Sequence, residues 1–223
     1  MADPALYRLM TWLSPAYPVG AFSYSQGLEA AVSAGLIADA GSTCAWLEDL
    51  ACSGSLWSDA VVFARAYDAA VRGNRDELAD VTAFALAFQP TAELRFEAVE
   101  QGRAFLGVTR RAWTCVALDL LPEGDVPYPV AVATACAGHE IDRTAALGAF
   151  LHAAATNLVA AAIRLVPLGQ TDGQRILAAL ETVLADAAVR AAEIRLDDLE
   201  TACLMAEIQS MRHETQPVRL FRT

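Results

Sequence analysis

Apolar residues recur along this chain at intervals of three and four, and runs that alternate apolar with polar at every second position are scarce. That spacing stacks apolar side chains on one face of a helix, so the chain reads as all-α: a single bundle of about eight to ten helices. Leu147, Leu151, Ala154, Leu158, Ala162 and Leu165 lay one stripe along a central helix that Pro167 closes. Helix starts are expected where a short polar side chain accepts a backbone N–H and a Glu or Gln three positions later returns the bond: Ser23 with Gln26, Asn74 with Glu77, and Thr171 with Gln174. Further helices are expected over Ala5 to Leu13, Thr43 to Ser53, Leu56 to Arg72, Ala92 to Leu106, Val130 to Gly138 and Asp198 to Met211. "LPEGDVPYP", with Pro122, Gly124, Pro127 and Pro129, is the clearest loop. Both of its flanks are equally helical and apolar, so it is read as a loop within one domain.

Composition sharpens this picture. With 223 residues, 55% of them hydrophobic, the chain is long enough to bury one sizeable core. The formal charge of −11, from 27 acidic and 16 basic residues, argues against a phosphate-binding surface, so nucleic acid is not an expected partner. Cys44, Cys52, Cys115, Cys136 and Cys203 are odd in number and include no Cys-x-x-Cys pair, which fits buried thiols in a reducing compartment. "MADPALYRLMTW" lacks the features of a secretory leader, and the expected location is cytoplasmic. The apolar window from Thr144 to Ile163 is built mostly of alanine and interrupted by His152, Thr156 and Asn157, as in a buried helix rather than a membrane span.

Candidate chemistry is sparse, and no catalytic or metal-ligating set is assigned. His139–Glu140 is a fragment of H-E-x-x-H with Arg143 where the second histidine belongs, so His139 is read as a helix-end residue. His152 and Thr156 share a face and are expected to form a hydrogen-bonded pair inside the bundle. "DDLE" from Asp197 is read as a helix start. "PLGQTDGQ" lacks the lysine of a phosphate loop and reads as helix punctuation, a role that leaves Gln170 unexplained and marks it as a candidate contact.

The final stretch differs from the rest. "MRHETQPVRLFRT" sets Arg212, Arg219 and Arg222 against one glutamate, Glu214, and interleaves Val218, Leu220 and Phe221. Arg219 offers a planar fork suited to a carboxylate, and Leu220 and Phe221 offer apolar surface to bury. Residues 1–211 are therefore taken as the helical domain and 212–223 as a partner-binding tail.

Four segments, "SPAYPVGAFSYSQGLEAAV", "AELRFEAVEQGR", "AAAIRLVPLGQTDGQRIL" and "HETQPVRLFRT", occur in the order and spacing found in the urease accessory protein F (UreF) family, which the chain resembles over nearly its whole length. The resemblance implies an all-helical, dimeric, non-enzymatic adaptor. It would bind UreD (UreH in some species), recruit the GTPase UreG, and support nickel insertion into apo-urease, with no tightly bound cofactor of its own. On this reading Phe22, Tyr24, Gln26 and Glu29 are disposed for recognition, and Glu93, Arg164 and His213 are surface contacts. The sequence departs from the family pattern at Tyr17, where Leu is usual, at Pro217, where an aromatic is frequent, and at Thr223, where Ser is common. Two other readings compete: a direct nickel carrier, with cysteines or histidines brought together at a dimer axis, and a small-ligand carrier with a cavity lined by His152, Thr156 and Asn157.

Overall fold

The computed structural model describes residues 3–223. Its α-helices are α1 (Pro4–Trp12), α2 (Leu28–Ser33), α3 (Ala40–Ser53), α4 (Ser55–Val71), α5 (Arg75–Ala87), α6 (Ala92–Ala112), α7 (Tyr128–Gly138), α8 (Arg143–Leu165), α9 (Gln170–Ala191) and α10 (Leu204–His213), with no strand among the described residues. Short 3-10 turns cover Ala21–Ser23, Val116–Leu120 and Leu196–Asp198.

The architecture is organised around α7. Every residue from Pro129 to Ala137 is buried, and a helix apolar on all sides must be surrounded. α4 runs against it, α6 and α8 complete its casing, and α3 and α9 close the outer layer. Alanine at positions 131, 133, 135 and 137 lets these neighbours approach closely. Gly102 of α6 serves the same end: a Cβ there would stand 2.0 Å from the Val126 carbonyl oxygen. α8 is long and apolar enough by composition to cross a membrane, and half of its most apolar window is buried within the protein. Leu147, Leu151 and Leu158 of its stripe enter the core.

A second, smaller assembly sits beside this core. α2 packs on α10 and α8, and Leu28, Ala31, Ile37, Ala162 and Val166 form their own apolar cluster. Gly27, at φ +78°, would drive a Cβ to 2.6 Å from the Ser210 nitrogen, so α2 and α10 touch backbone to backbone.

Local punctuation differs from the expected caps in three places. Asn74 does cap α5, accepting the Glu77 N–H. The chain does not begin a helix at Ser23, because Gln26 (φ 53°) and Gly27 are both left-handed and delay α2 to Leu28. α9 starts at Gln170, where Asp172 accepts the Gly169 N–H, leaving Thr171 inside the helix. "DDLE" straddles the end of a 3-10 turn, and α10 begins at Leu204 instead of Asp198. His139 is the C-cap of α7, its Nε2 3.0 Å from the Trp113 carbonyl oxygen. The His152–Thr156 pair lies on an exposed face rather than inside the bundle, since α8 turns only one side to the core. Of the five cysteines expected to be buried only Cys136 is, and Cys52 is exposed because α3 likewise turns one side outward.

Candidate functional site

The four sequence segments meet at one place, the end of the smaller assembly where the tail folds back across α2 and α6. α10 ends at His213, and Thr215 and Gln216 donate to the Arg212 and His213 carbonyls, reversing the chain. Pro217 sits in this turn, where the missing N–H has no helix to serve, and the tail then runs back over Glu29.

Glu29, in the first turn of α2, is the hub. Its Oε1 accepts the Leu220 N–H at 2.7 Å, and its Oε2 accepts the Phe221 N–H at 2.9 Å and faces His213 Nε2 at 3.2 Å. The other imidazole nitrogen, Nδ1, lies 2.7 Å from Glu93 Oε2, while Arg219 Nη1 donates to Glu93 Oε1 at 2.6 Å. Two carboxylates can each accept from one ring nitrogen only when both nitrogens carry hydrogens, and in that form the charges of Glu29, Glu93, His213 and Arg219 cancel.

One turn along α6, Glu97 anchors the last residue. Thr223 Oγ1 donates to Oε2 at 2.7 Å, and Gln26 and Gln101 each donate to Oε1 at 3.0 Å. Burial pushes the Glu97 carboxyl up to about 6 although these donors pull it down. The left-handed backbone of Gln26 is what aims its amide at both Glu97 and Ser55, whose hydroxyl donates to it at 2.8 Å. Ser25 N–H and Oγ both donate to the Thr223 carbonyl, and Arg222 N–H donates to the Ser23 carbonyl at 2.8 Å. Glu214 caps α6 from outside by accepting the Ala92 N–H at 3.0 Å. Arg164 lies 4.4 Å over the Phe221 ring and donates to the Phe22 carbonyl at 2.9 Å.

This geometry corrects the expectation of a solvent-facing set. Tyr24, Glu29, His213 and Phe221 are buried, because their partners lie within the same chain. Glu93 keeps only 13% of its side-chain exposure, and the carboxylate that receives Arg219 is its own. Phe22 (72%), Val218 (81%) and Leu220 (56%) remain exposed, as do Arg164 and Arg212. Gln170 is exposed at the start of α9 and makes no hydrogen bond to the cluster among the described residues. Of the family departures, Tyr17 is buried with its hydroxyl 2.8 Å from Thr109 Oγ1, and the Thr223 bond to Glu97 requires only a hydroxyl.

Ser25, Glu97, Gln101 and Thr223 were not among the candidates. The signal for them was present on α6, where Glu93, Glu97 and Gln101 recur every fourth residue and so share one face of a partly buried helix. The ligand-carrier reading required His152, Thr156 and Asn157 around one cavity; only Asn157 lines the cavity beneath residues 13–26.

The comparisons with known proteins agree with the motif order. A model of the UreF family matches residues 37–181. Proteins named "Urease accessory protein UreF" are similar along almost the full length: that of Rhodopseudomonas palustris strain BisA53 is 50% identical over 98% of this chain and 93% of its own. That of Bradyrhizobium sp. strain BTAi1 is 48% identical over 99% and 92%, and that of Azorhizobium caulinodans 46% identical over 100% and 97%. With helical architecture, motif order and full-length similarity in agreement, the chain belongs to the UreF family.

Proposed function

We propose that this chain is a non-enzymatic adaptor of urease maturation, acting in the cytoplasm. It binds UreD (or UreH), brings in UreG, and through that complex serves GTP-dependent nickel insertion into apo-urease, with nickel handled by the partners. The observation that carries the reading is the folded-back tail. It turns a short basic, apolar segment into a shaped surface, on which Phe22, Val218 and Leu220 stand exposed beside Arg164 and Arg212 in a chain of net charge −11. Exposed aromatic and apolar anchors next to arginine are what a protein partner selects.

Titrating UreD and UreG against Phe22→Ala and Leu220→Ala tests this. Binding weakened at least tenfold with unchanged melting supports the reading, and wild-type affinity for both variants overturns it. A second patch supports self-association: Leu6, Tyr7, Met10 and Val116 are each more than half exposed, and Tyr7 lies against Trp113. Light scattering of the purified chain checks the dimer, and a monomer mass at all concentrations removes it.

A further inference from the structure

Away from the tail, the C-terminal half of α6 and the loop of residues 118–126 flank a groove open to solvent, with a volume of about 670 Å³. Its floor is apolar: Val99 and Leu106 of α6, and Leu118, Leu121 and Val126 of the loop. Its charges are unevenly placed. Asp119, Glu123 and Asp125 stand on the loop side, and Arg103 of α6 is answered by Glu100 at 2.7 Å and Asp125 at 3.3 Å. About 10 Å further along α6, at roughly 1.5 Å per residue, Arg110 and Arg111 line the groove, and Arg75 of α5 joins them. Arg110 and Arg75 donate to the neighbouring carbonyls of Leu118 and Asp119, and none of these three arginines forms an ion pair with a described residue.

Helix electrostatics account for part of this set. A base in the last turn complements the macrodipole, as Arg110 and Arg111 do for α6. Arg75 is the first residue of α5, where the same effect disfavours a base, so the needs of α5 do not explain it. Three guanidiniums without ion pairs thus gather at one end of a groove in a chain of net charge −11. The loop adds a second feature: from Glu123 to Val126 no N–H makes a backbone hydrogen bond with a described residue, so the loop can pair with an extended segment laid along it. From Val99 to Arg111 α6 spans about 18 Å, the length of about five extended residues. Charge selects the kind of segment. The evenly spaced phosphates of a nucleic acid would have to pass Glu123 and Asp125 as well as the arginines, whereas a peptide can set one carboxylate at the arginine end and neutral side chains elsewhere.

We propose that this groove docks an extended segment of a protein partner, about five residues long, whose acidic side chain pairs with Arg75, Arg110 and Arg111 while apolar side chains lie on the floor around Leu106 and Leu121. The surface is separate from that of the tail. No tail residue lines the groove, and Arg110 lies about 25 Å along α6 from Glu93. One helix therefore carries two docking surfaces, one toward each end.

An array of hexapeptides with acidic, basic or uncharged residues set among leucines is the probe. The full chain should bind the acidic set at least tenfold more strongly than the other two. In titrations of the best acidic hexapeptide, Arg111→Glu and Gly107→Leu should each weaken binding at least tenfold with unchanged melting. Arg111 is exposed and makes no hydrogen bond with a described residue, so its reversal alters charge alone. Gly107 lines the groove, and a Cβ there meets nothing within 4 Å, so a leucine fills the groove without disturbing α6. Equal binding of the three sets overturns the proposal, as does wild-type affinity in either variant. Loss of binding in Arg212→Glu alone would place the peptide on the tail and overturn it too, and displacement by a single-stranded oligonucleotide of equal affinity would make the groove a nucleic-acid site instead.

Discussion

The core around α7 and the cluster around Glu29 are both buried, and they are buried by opposite means. Around α7 the contacts are apolar and interchangeable in kind: Phe63, Phe105, Phe150 and many alanines and valines fill space, and no single side chain dictates where the others go. Around Glu29 each contact is directional and joins particular groups. His213 is wholly buried between two carboxylates, and the backbone of Leu220 and Phe221 is held by a side chain 191 residues away or more. A core of the first kind tolerates variation of shape; a cluster of the second kind loses its purpose when one member goes.

The largest effects should therefore look alike in size and unlike in reach. Phe105→Ala removes a fully buried ring and should cost about 3–5 kcal/mol across the whole fold. Glu29→Ala leaves two N–H groups and the Nε2 of His213 without their partner, a loss on the order of 3–5 kcal/mol for removing a buried hydrogen-bonded carboxylate. Hydrogen exchange separates the two. In Glu29→Ala the amides of Leu220 and Phe221 should exchange fast while those of α7 stay protected, whereas in Phe105→Ala both sets should lose protection together. Loss of α7 protection in Glu29→Ala would make the two regions a single cooperative unit.

The same contrast explains what the sequence made legible. The helices of the core announce themselves by spacing: the Leu147-to-Leu165 stripe and the uniformly apolar α7 need only a period of 3.6 to be seen. The cluster was half visible. Its residues were picked out by motif and by the unusual character of the tail, but their burial was not, because burial here depends on partners far along the chain. Nothing local to His213 says that Glu29 and Glu93 will flank it. Likewise Gln26 looks like the return half of a helix cap, and only the left-handed backbone at Gln26 and Gly27 shows that its amide is turned to Glu97. Asp59 carries no local mark at all; an acidic residue in an apolar helix is read as solvated until the residues packed over it are known.

A middle-sized effect comes from acidity. Burial lifts Asp59 to about 7 and Glu97 to about 6, above the values the unfolded chain would have. For an acid whose folded pKa is raised, the folded state holds the proton more tightly, so this contribution to stability is complete below the unfolded pKa and is lost as pH rises through the folded one. Stability should fall between about pH 4 and pH 7 by an amount on the order of a few kcal/mol. Asp59→Asn should flatten that slope and be more stable than wild type at pH 8, an advantage that disappears toward pH 4. A wild-type curve already flat across this range would mean that water reaches both carboxylates in the folded chain. In the core, no substitution of one alanine for another apolar residue should introduce a pH dependence.

The smallest effect should come from Arg219. Its guanidinium donates to Glu93, but 38% of the side chain faces solvent, and an ion pair screened to that degree is worth only about 0–1 kcal/mol. Glu93 would still be held by His213 in Arg219→Ala, so the carboxylate is not stranded. Melting should move by no more than a degree or two, and the Leu220 and Phe221 amides, bound to Glu29, should remain protected. Partner affinity is the more telling measurement, because the tail's path is set by Glu29 and His213 while its exposed charge is set by Arg219. If Arg219→Ala weakens UreD binding while the tail stays ordered, the arginine is read directly by the partner. If binding falls only together with protection at Leu220 and Phe221, Arg219 acts by holding the tail in place, and the pairing with Glu93 matters more to the cluster than its exposure implies.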